Sequence, residues 1–526
     1  MTKNLATYID DFAKKSPNSS AIVNPEGVSL SYQVLRDRSA AFAALLSKNN
    51  VNRLALLADR TLSAYIGVIA TAWQGIAYVP LSLKAPVTRL SEQLIASKST
   101  ALLIDENGLK LLTDEFIENF PSLLFAGDEK TLHSLQTLGL NATLIPTIAA
   151  KEIASPKTLS GKEEAYIIFT SGSSGSPKGV LLSTKARATY TENINTRHHF
   201  SSEDRVAQPV DLSWDVSVGN YTVCFSNGAT LYLLSAKTVF TPLRFIQENE
   251  ITVWHSVPNV ADILLERGLL KENTFPKLKW TDFSGAPLFP KTAKAWQKAA
   301  PNTRLVNSYG PTEMTVDCLD YELPPHFKGE IVPIGTVFPK TATLILKEDG
   351  KIAEKEEAGE LLLSGAQQAD GYLDDKEKTE AAFVWREDQG KMRRWYRTGD
   401  LVSQNEDGVF FFKGRIDHQL KVLGYRVETE EIETHLRKML NLEQVIVSGY
   451  PFNESSVDDL ICFFVLPPKA VKEKYTSEIL FEILSKNLPI YMIPRYYYLL
   501  DSLPRLDNGK LNRKALPHYM TDDNEV

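Results

Sequence analysis

The chain alternates two kinds of hydrophobic pattern. Short apolar runs rich in β-branched residues, such as "RLALLA", "TALLID", "YIIFT", "ATLYLL", "ITVWHSVP" and "TRLVNSYG", read as buried strands. Helical patterns lie between them. Alternation of this kind predicts α/β layers with largely parallel sheets. Ligands in such folds sit beyond the C-terminal ends of strands, so the loops that follow the apolar runs are where chemistry is to be sought.

The first residues, "MTKNLATYIDDFAKKSPNSS", place Leu5, Tyr8, Ile9 and Phe12 on one face of an amphipathic helix. Asp10 and Asp11 fall where a signal peptide would need an apolar core. The most apolar long segment, "YIGVIATAWQGIAYVPL", contains Trp, Gln and two glycines, and reads as a buried helix followed by a buried strand rather than a membrane span. Short antiparallel strands are expected at "GELLLSG" and, after about residue 400, at "GVFFFKGR" and "HQLKVLGYRVE". A helix at "TEEIETHLRKML", strands at "EQVIVSGY" and "DLICFFVLP" and a helix at "TSEILFEILSKNL" complete the chain. The expectation is a large N-terminal α/β domain, residues 1–416, and a small α+β C-terminal domain, residues 417–526, with the boundary at Asp417.

Composition narrows the classes. A chain of 526 residues exceeds a single core, and 43% hydrophobic with 23% charged residues is ordinary for a globular protein. A net charge of −7 spread along the chain argues against broad nucleic-acid binding. Cys224, Cys318 and Cys462 are far apart and odd in number, so neither a disulfide framework nor a metal-ligand spacing is expected. The eight histidines form no HExxH-like cluster. These features predict a reducing cytoplasm as the setting with no membrane association, and a monomer is expected.

Five loops carry candidate chemistry. In "YIIFTSGSSGSPKGV", Gly172, Gly175 and Gly179 let the backbone approach a ligand, Thr170, Ser171, Ser173 and Ser174 add hydroxyls, and Lys178 adds charge. The spacing is not that of a Walker A loop, and taken alone the segment reads equally as a phosphate nest or a surface linker. "NSYGPTE" offers the Tyr309 ring to a purine, and Thr312 and Glu313 to a phosphate and its Mg²⁺; alone it also reads as a Gly-Pro turn. "YRTGDL" sets Asp400 after a tight Thr-Gly turn, suited to two ribose hydroxyls. "GRIDHQLKVLGYRVE" supplies the Arg415 fork, and "LPRLDNGKLNRKAL" presents Lys510 just after an Asn508-Gly509 turn.

Together, and in this order, these motifs resemble the adenylate-forming superfamily of acyl and amino-acid ligases. The resemblance covers nearly the whole chain, including "SYQVL", "QGIAYVPL" and "GELLLSG…DGYL". It is most similar to the adenylation domains of nonribosomal peptide synthetases and to stand-alone D-alanine–carrier protein ligases. The resemblance implies that Thr170, Ser171, Gly172, Ser173, Ser174, Gly175 and Lys178 wrap the β- and γ-phosphates of ATP. Asn307, Ser308, Tyr309 and Gly310 would line the adenine, Thr312 would meet the α-phosphate, and Glu313 would be the Mg²⁺ ligand. Asp400 and Arg415 match the ribose-binding pair, Asp417 the hinge and Lys510 the catalytic lysine. It also implies that the C-terminal domain rotates about Asp417 after adenylation, replacing Lys510 by the segment around Lys421 and Gly424. Asp370, Asn512 and "LLSTKARA" depart from the usual pattern, without removing a catalytic group.

The segment "WDVSVGNYTVCFSNGATLYLL" matches the start of the family's substrate pocket. Spacing from Gly228 puts Asp215 at the aspartate that holds an α-ammonium; Asp211 is a rival with longer spacing. The other lining positions implied are Val216, Gly219, His255, Asp282, Ser284, Ser308, Val316 and Asp317. Val216, His255 and Ser284 resemble serine pockets, whereas Val216, Gly219, Val316 and Asp317 resemble ornithine and diaminobutyrate pockets. Gly219 is expected to leave room. The implied activity is ATP-dependent activation of an amino acid with a small polar or cationic side chain, followed by transfer to the phosphopantetheine thiol of a carrier protein supplied in trans. A D-alanine–carrier protein ligase, an acyl- or aryl-CoA ligase and a catalytically dead binding module are the competing readings.

Overall fold

The computed structural model describes residues 3–147, 154–172, 176–235, 238–240, 242–442, 444–452, 456–467, 470, 475–505 and 511–526. By packing, the chain divides into two units: Met1–Leu83, Leu94–Ile168 and Gly179–Lys413 form one, and Lys84–Gln93, Phe169–Lys178 and Gly414–Val526 the other. The second unit thus takes in two segments from earlier in the chain, one of them the Ser/Thr/Gly loop.

In the first unit, a nine-stranded sheet runs Thr336–Val337, Leu319–Glu322, Arg304–Tyr309, Trp280–Phe283, Val253–Ser256, Arg205–Gln208, Thr230–Leu233, Ser20–Val23, Ser29–Ser31. Its inner strands, from Arg304–Tyr309 to Ser20–Val23, are parallel, and the strands at both ends are antiparallel. An eight-stranded sheet includes the parallel series Glu164–Thr170, Ala77–Pro80, Arg53–Leu57, Ala101–Ile104, Leu123–Ala126, Ala142–Leu144. A third sheet, built on Thr341–Leu346, Gly359–Gly365, Lys391–Gln404 and Phe383–Asp388, is antiparallel.

Helix ends follow local chemistry. The helix Leu5–Lys15 opens on an Asn4–Thr7 capping box and buries Leu5 and Ile9, while Phe12 packs its ring near Tyr32. The apolar segment after Arg60 becomes the helix Leu62–Gln74, buried from Ser63 to Trp73, as expected of a helix apolar all round in a soluble core. Gly75 ends it in the left-handed region (φ 70°), where a Cβ would lie 2.5 Å from Leu159. No described helix is long and apolar enough to cross a membrane.

In the second unit, Gln419–Val422 and Tyr425–Glu428 form a two-residue hairpin, and the turn residues Leu423 and Gly424 both have positive φ. Val445–Tyr450, Asp459–Phe464 and Tyr496–Leu499 form a second small sheet. The helices Thr429–Leu440 and Ser477–Ser485 send Ile432, Leu436, Leu480 and Leu484 into a core with Val445, Val447 and Cys462. Cys224, Cys318 and Cys462 are all buried free thiols.

Candidate active site

The first site element lies at the C-terminal end of the strand Arg304–Tyr309. Asn307, Ser308 and Tyr309 are its last residues, and the turn Thr312–Met314 follows. "YRTGDL" was expected to form a tight turn, but it lies inside the continuous strand Lys391–Gln404. There Arg397 pairs with Leu362 and Leu401 with Glu360, so residues 398–400 bulge out of register. The physical reason is that the Thr398 hydroxyl bonds to the Leu361 carbonyl (2.7 Å) and accepts the Asp400 N–H (3.0 Å), which holds a bulge without reversing the chain. Gly399 supplies the positive φ of 71°. The bulge aims Asp400 at Tyr309, whose hydroxyl donates to its carboxylate at 2.5 Å.

The ring proposed to stack on a base and the carboxylate proposed to hold a ribose are therefore coupled directly. Tyr309→Phe should raise KM for ATP roughly 10-fold, the cost of one hydrogen bond to a charged group, with little change in amino-acid KM. Initial-rate kinetics check this; an unchanged ATP KM would contradict the coupling.

The turn after Tyr309 is strained and strapped. Thr315 and Val316, both β-branched, have φ of 59° and 64°. Buried Gln367 holds them there: its amide donates to the carbonyls of Met314, Thr315 and Asp317, while its backbone carbonyl accepts from the Thr315 hydroxyl at 2.6 Å. Gly310 has no alternative, since a Cβ would sit 2.1 Å from the Val316 carbonyl oxygen. The strap fixes Glu313, which is wholly buried and accepts the Tyr372 hydroxyl at 2.8 Å. Among the described residues Glu313 belongs to no group of three or more potential metal ligands. That suits Mg²⁺, which is usually held by one or two carboxylates together with substrate phosphates. Asn307, also buried, donates to the Pro333 carbonyl at 2.7 Å.

The second element is an acidic pocket in the same unit. His255 and Asp282 are register partners on neighbouring parallel strands. Ser284 and Ser308 join them: His255 Nε2 and Ser284 Oγ are 2.9 Å apart, and Ser308 donates to Asp282 Oδ2 at 2.8 Å. Asp317 lies 3.8 Å from His255, as does Asp282. These are not ion pairs, because burial holds the imidazole down to about 3 and the ring is neutral. Burial also pushes Asp282 and Asp317 well above the usual carboxylate range, with Asp282 and then Asp215 adding to the rise at Asp317. Asp282 Oδ1 and Asp317 Oδ2 are buried without a hydrogen-bond partner.

Asp215 sits immediately before the helix Val216–Asn227, whose first turn carries Val216 and Gly219. Its field reaches Asp317, Tyr166 and Tyr190. Asp211 instead lies 3.4 Å from the guanidinium of buried Arg60. Gly219 does not leave room, contrary to expectation. A Cβ there would come within 3.0 Å of the Tyr190 hydroxyl and 3.3 Å of the His255 ring, which have moved into the space a side chain would need. Tyr190 carries no sequence signal: it lies on the helix Thr184–Arg197 among mixed polar neighbours.

The two raised carboxyls have a stability consequence. Each binds its proton more tightly in the folded chain than in the unfolded one. The linked stability is full below the unfolded value of about 4 and is lost as pH rises through the folded values. Asp317→Asn should therefore melt above the wild type, by a margin that grows as pH rises from about 5 upward. Thermal scans across that range check it; a margin independent of pH would contradict it.

The remaining residues lie in the second unit. Thr170 ends its strand with its hydroxyl buried and unpartnered. Ser171 donates to the Arg426 carbonyl at 2.9 Å, the Gly172 N–H donates to Glu431 at 3.1 Å, and Lys178 lies 4.0 Å from Glu428. Glu431 is also paired with Arg89. Gly172 admits no side chain, as a Cβ would meet the Ser176 carbonyl oxygen at 2.4 Å. A loop whose N–H and ammonium groups face carboxylates has the donor set an anion requires. Arg415 and Asp417 form a two-pronged ion pair at 2.7 Å. Ser173, Ser174, Gly175 and Lys510 lie outside the described residues.

Residues 9–373 match the AMP-binding enzyme family. A D-alanine–D-alanyl carrier protein ligase of Bacillus cereus is 30% identical, covering 98% of this chain and 99% of that protein. The corresponding ligase of Bacillus licheniformis is 29% identical over the same shares. Among solved structures, the Vibrio cholerae adenylation domain AlmE, in complex with glycyl-adenosine-5'-phosphate, superposes with a TM-score of 0.86 at 29% identity, covering 98% of this chain and 97% of that one. The mixed α/β architecture, with a large sheet-containing N-terminal part and a smaller C-terminal part, is that of the adenylation domains. The chain belongs to the AMP-binding enzyme family and is an adenylate-forming ligase.

Proposed function

We propose that the protein activates a small amino acid with ATP and Mg²⁺, giving an aminoacyl-adenylate and pyrophosphate, and then passes the aminoacyl group to a carrier-protein thiol. The observation that carries the amino-acid part is the acidic pocket: Asp215 at the head of a helix, in electrostatic reach of the buried carboxyl of Asp317. A pocket of this kind penalises a neutral fatty or aryl acid, which would leave buried carboxylates unpaired.

The substrate carboxylate attacks the α-phosphorus of ATP, forming a C–O–P linkage as the bond to pyrophosphate breaks. Both reactants are anionic, so positioning and charge stabilisation carry the catalysis. Tyr309 and Asp400 orient the nucleoside, Thr312 meets the α-phosphate, and Asp215 anchors the α-ammonium. The loop Thr170–Lys178 holds the leaving pyrophosphate, and Lys510 bridges the attacking carboxylate and the α-phosphate. Glu313 would hold Mg²⁺, which would neutralise phosphate charge. The thiolate then attacks the acyl carbon and AMP leaves.

A polar or cationic side chain suits His255, Asp282 and Asp317. D-Alanine is the second reading, favoured by the names of the relatives. A direct test offers the enzyme ATP, Mg²⁺ and single amino acids, then either a phosphopantetheinylated carrier protein or CoA, with intact mass as readout. The expected result is a carrier heavier by one aminoacyl group. Acyl-CoA with no loaded carrier would overturn the carrier assignment in favour of a CoA ligase.

A further inference from the structure

We propose that the side-chain end of the acidic pocket takes a second ammonium group, so that the preferred substrate is a short diamino acid with its α-ammonium at Asp215 and its side-chain ammonium between Asp282 and Asp317. This rests on the amino-acid-activating reading and adds the substrate class.

The argument begins with two oxygens. Asp282 Oδ1 and Asp317 Oδ2 have no hydrogen-bond partner, and their side chains are 0% and 2% exposed. Burying a carboxylate is costly unless a donor or cation answers it. Among the described residues no nearby group does so. Ser308 already gives its hydroxyl to the other oxygen of Asp282. His255 is neutral, and its Nε2 is shared with Ser284. Neighbouring Arg197 and His198 are both engaged by Asp320.

Candidate substrates differ in what they can supply. The side chain of glycine or alanine offers no donor, and a hydroxyl offers one. An ammonium offers three donors and a charge, enough for both orphaned oxygens with one to spare. One ligand atom from each of His255, Asp282 and Asp317 falls within 4.8 Å of the others, so the two carboxyl groups are close enough for one nitrogen making bonds of about 2.8 Å to reach both. The side chain must be short. Tyr190 and the His255 ring already fill the space beside Gly219, and Asp215 is near enough to Asp317 to shift it. Diaminopropionate and diaminobutyrate fit this description, whereas lysine does not.

The test is hydroxylamine trapping of the adenylate by the full-length enzyme. 2,3-Diaminopropionate and 2,4-diaminobutyrate are compared with homoserine, 2-aminobutyrate, alanine and glycine, in both hands where they exist. The expected kcat/KM for the better diamino acid exceeds every neutral one by at least about 100-fold. Equal or better use of a neutral amino acid would overturn the diamino assignment while leaving amino-acid activation standing. No product with any amino acid would overturn activation and this inference with it. Asp317→Asn and Asp282→Asn should each erase most of the preference for the diamino acid over 2-aminobutyrate; a preference unchanged in both folded variants would overturn the assignment. The isostere comparison uses the natural chain and decides the matter even if a variant fails to fold. His255, Asp282 and Asp317 could also hold a divalent ion, so Zn²⁺ alone is added in a thermal-shift arm. Stabilisation by Zn²⁺ that is lost in His255→Gln, without diamino preference, would contradict the proposal.

Discussion

Replacing Lys510 with alanine is expected to lower amino-acid-dependent adenylation by about 10³-fold or more, with no change in melting temperature. The reason is electrostatic. In the transition state the attacking carboxylate and the α-phosphate share negative charge, and a single mobile ammonium between them is stabilising only there. In the sequence Lys510 directly follows Asn508-Gly509, a turn signal, and no apolar run. The same variant, given preformed aminoacyl-adenylate, should still load a carrier protein, because attack by a thiolate on the acyl carbon leaves the phosphate bonds unchanged. Adenylation retained above about one tenth of the natural rate would remove Lys510 from the mechanism.

Asp215→Ala should reduce kcat/KM for the amino acid by about 30- to 1,000-fold, the cost of leaving a desolvated ammonium without its carboxylate. The KM for ATP should shift less than about 2-fold, since Asp215 belongs to the pocket and not to the Tyr309–Asp400 pair. Stability should not suffer, because Asp215 raises the energy of the ionised Asp317 beside it. Asp211→Ala provides the contrast. Asp211 lies against buried Arg60, so its loss should lower the melting temperature and spare amino-acid use. Equal losses of ATP and amino-acid affinity in Asp215→Ala would contradict the role assigned to it.

Much of this was legible before any coordinates. "TALLID" and "RLALLA" read as buried strands, and Ala101–Ile104 and Arg53–Leu57 are strands, which the fold pairs in parallel. A continuous apolar run has few other ways to be buried. The helix-then-strand reading of "YIGVIATAWQGIAYVPL" also holds, since Gly75 gives the break. Local pattern fails where the deciding contact is distant. The Asp400 bulge depends on the Leu361 carbonyl of a neighbouring strand, which no reading of "YRTGDL" supplies. Gln367, which holds the strained Thr315–Val316 turn, is one amide among many in sequence and acquires its role only through the fold. Tyr190 and Tyr372 are similar, reaching Gly219 and Glu313 from far along the chain. The rise of the Asp282 and Asp317 pKa values comes from burial, a property of packing rather than of spacing.

Amino-acid-dependent ATP–pyrophosphate exchange tests the central claim most directly, because it reports reversible attack of a carboxylate on the α-phosphorus without requiring a carrier protein. With a panel of small amino acids and Mg²⁺, the expected result is exchange that depends on the amino acid, is strongest for a short polar or cationic side chain, and disappears in Lys510→Ala. No exchange with any amino acid, or exchange supported only by fatty or aryl acids, would contradict it.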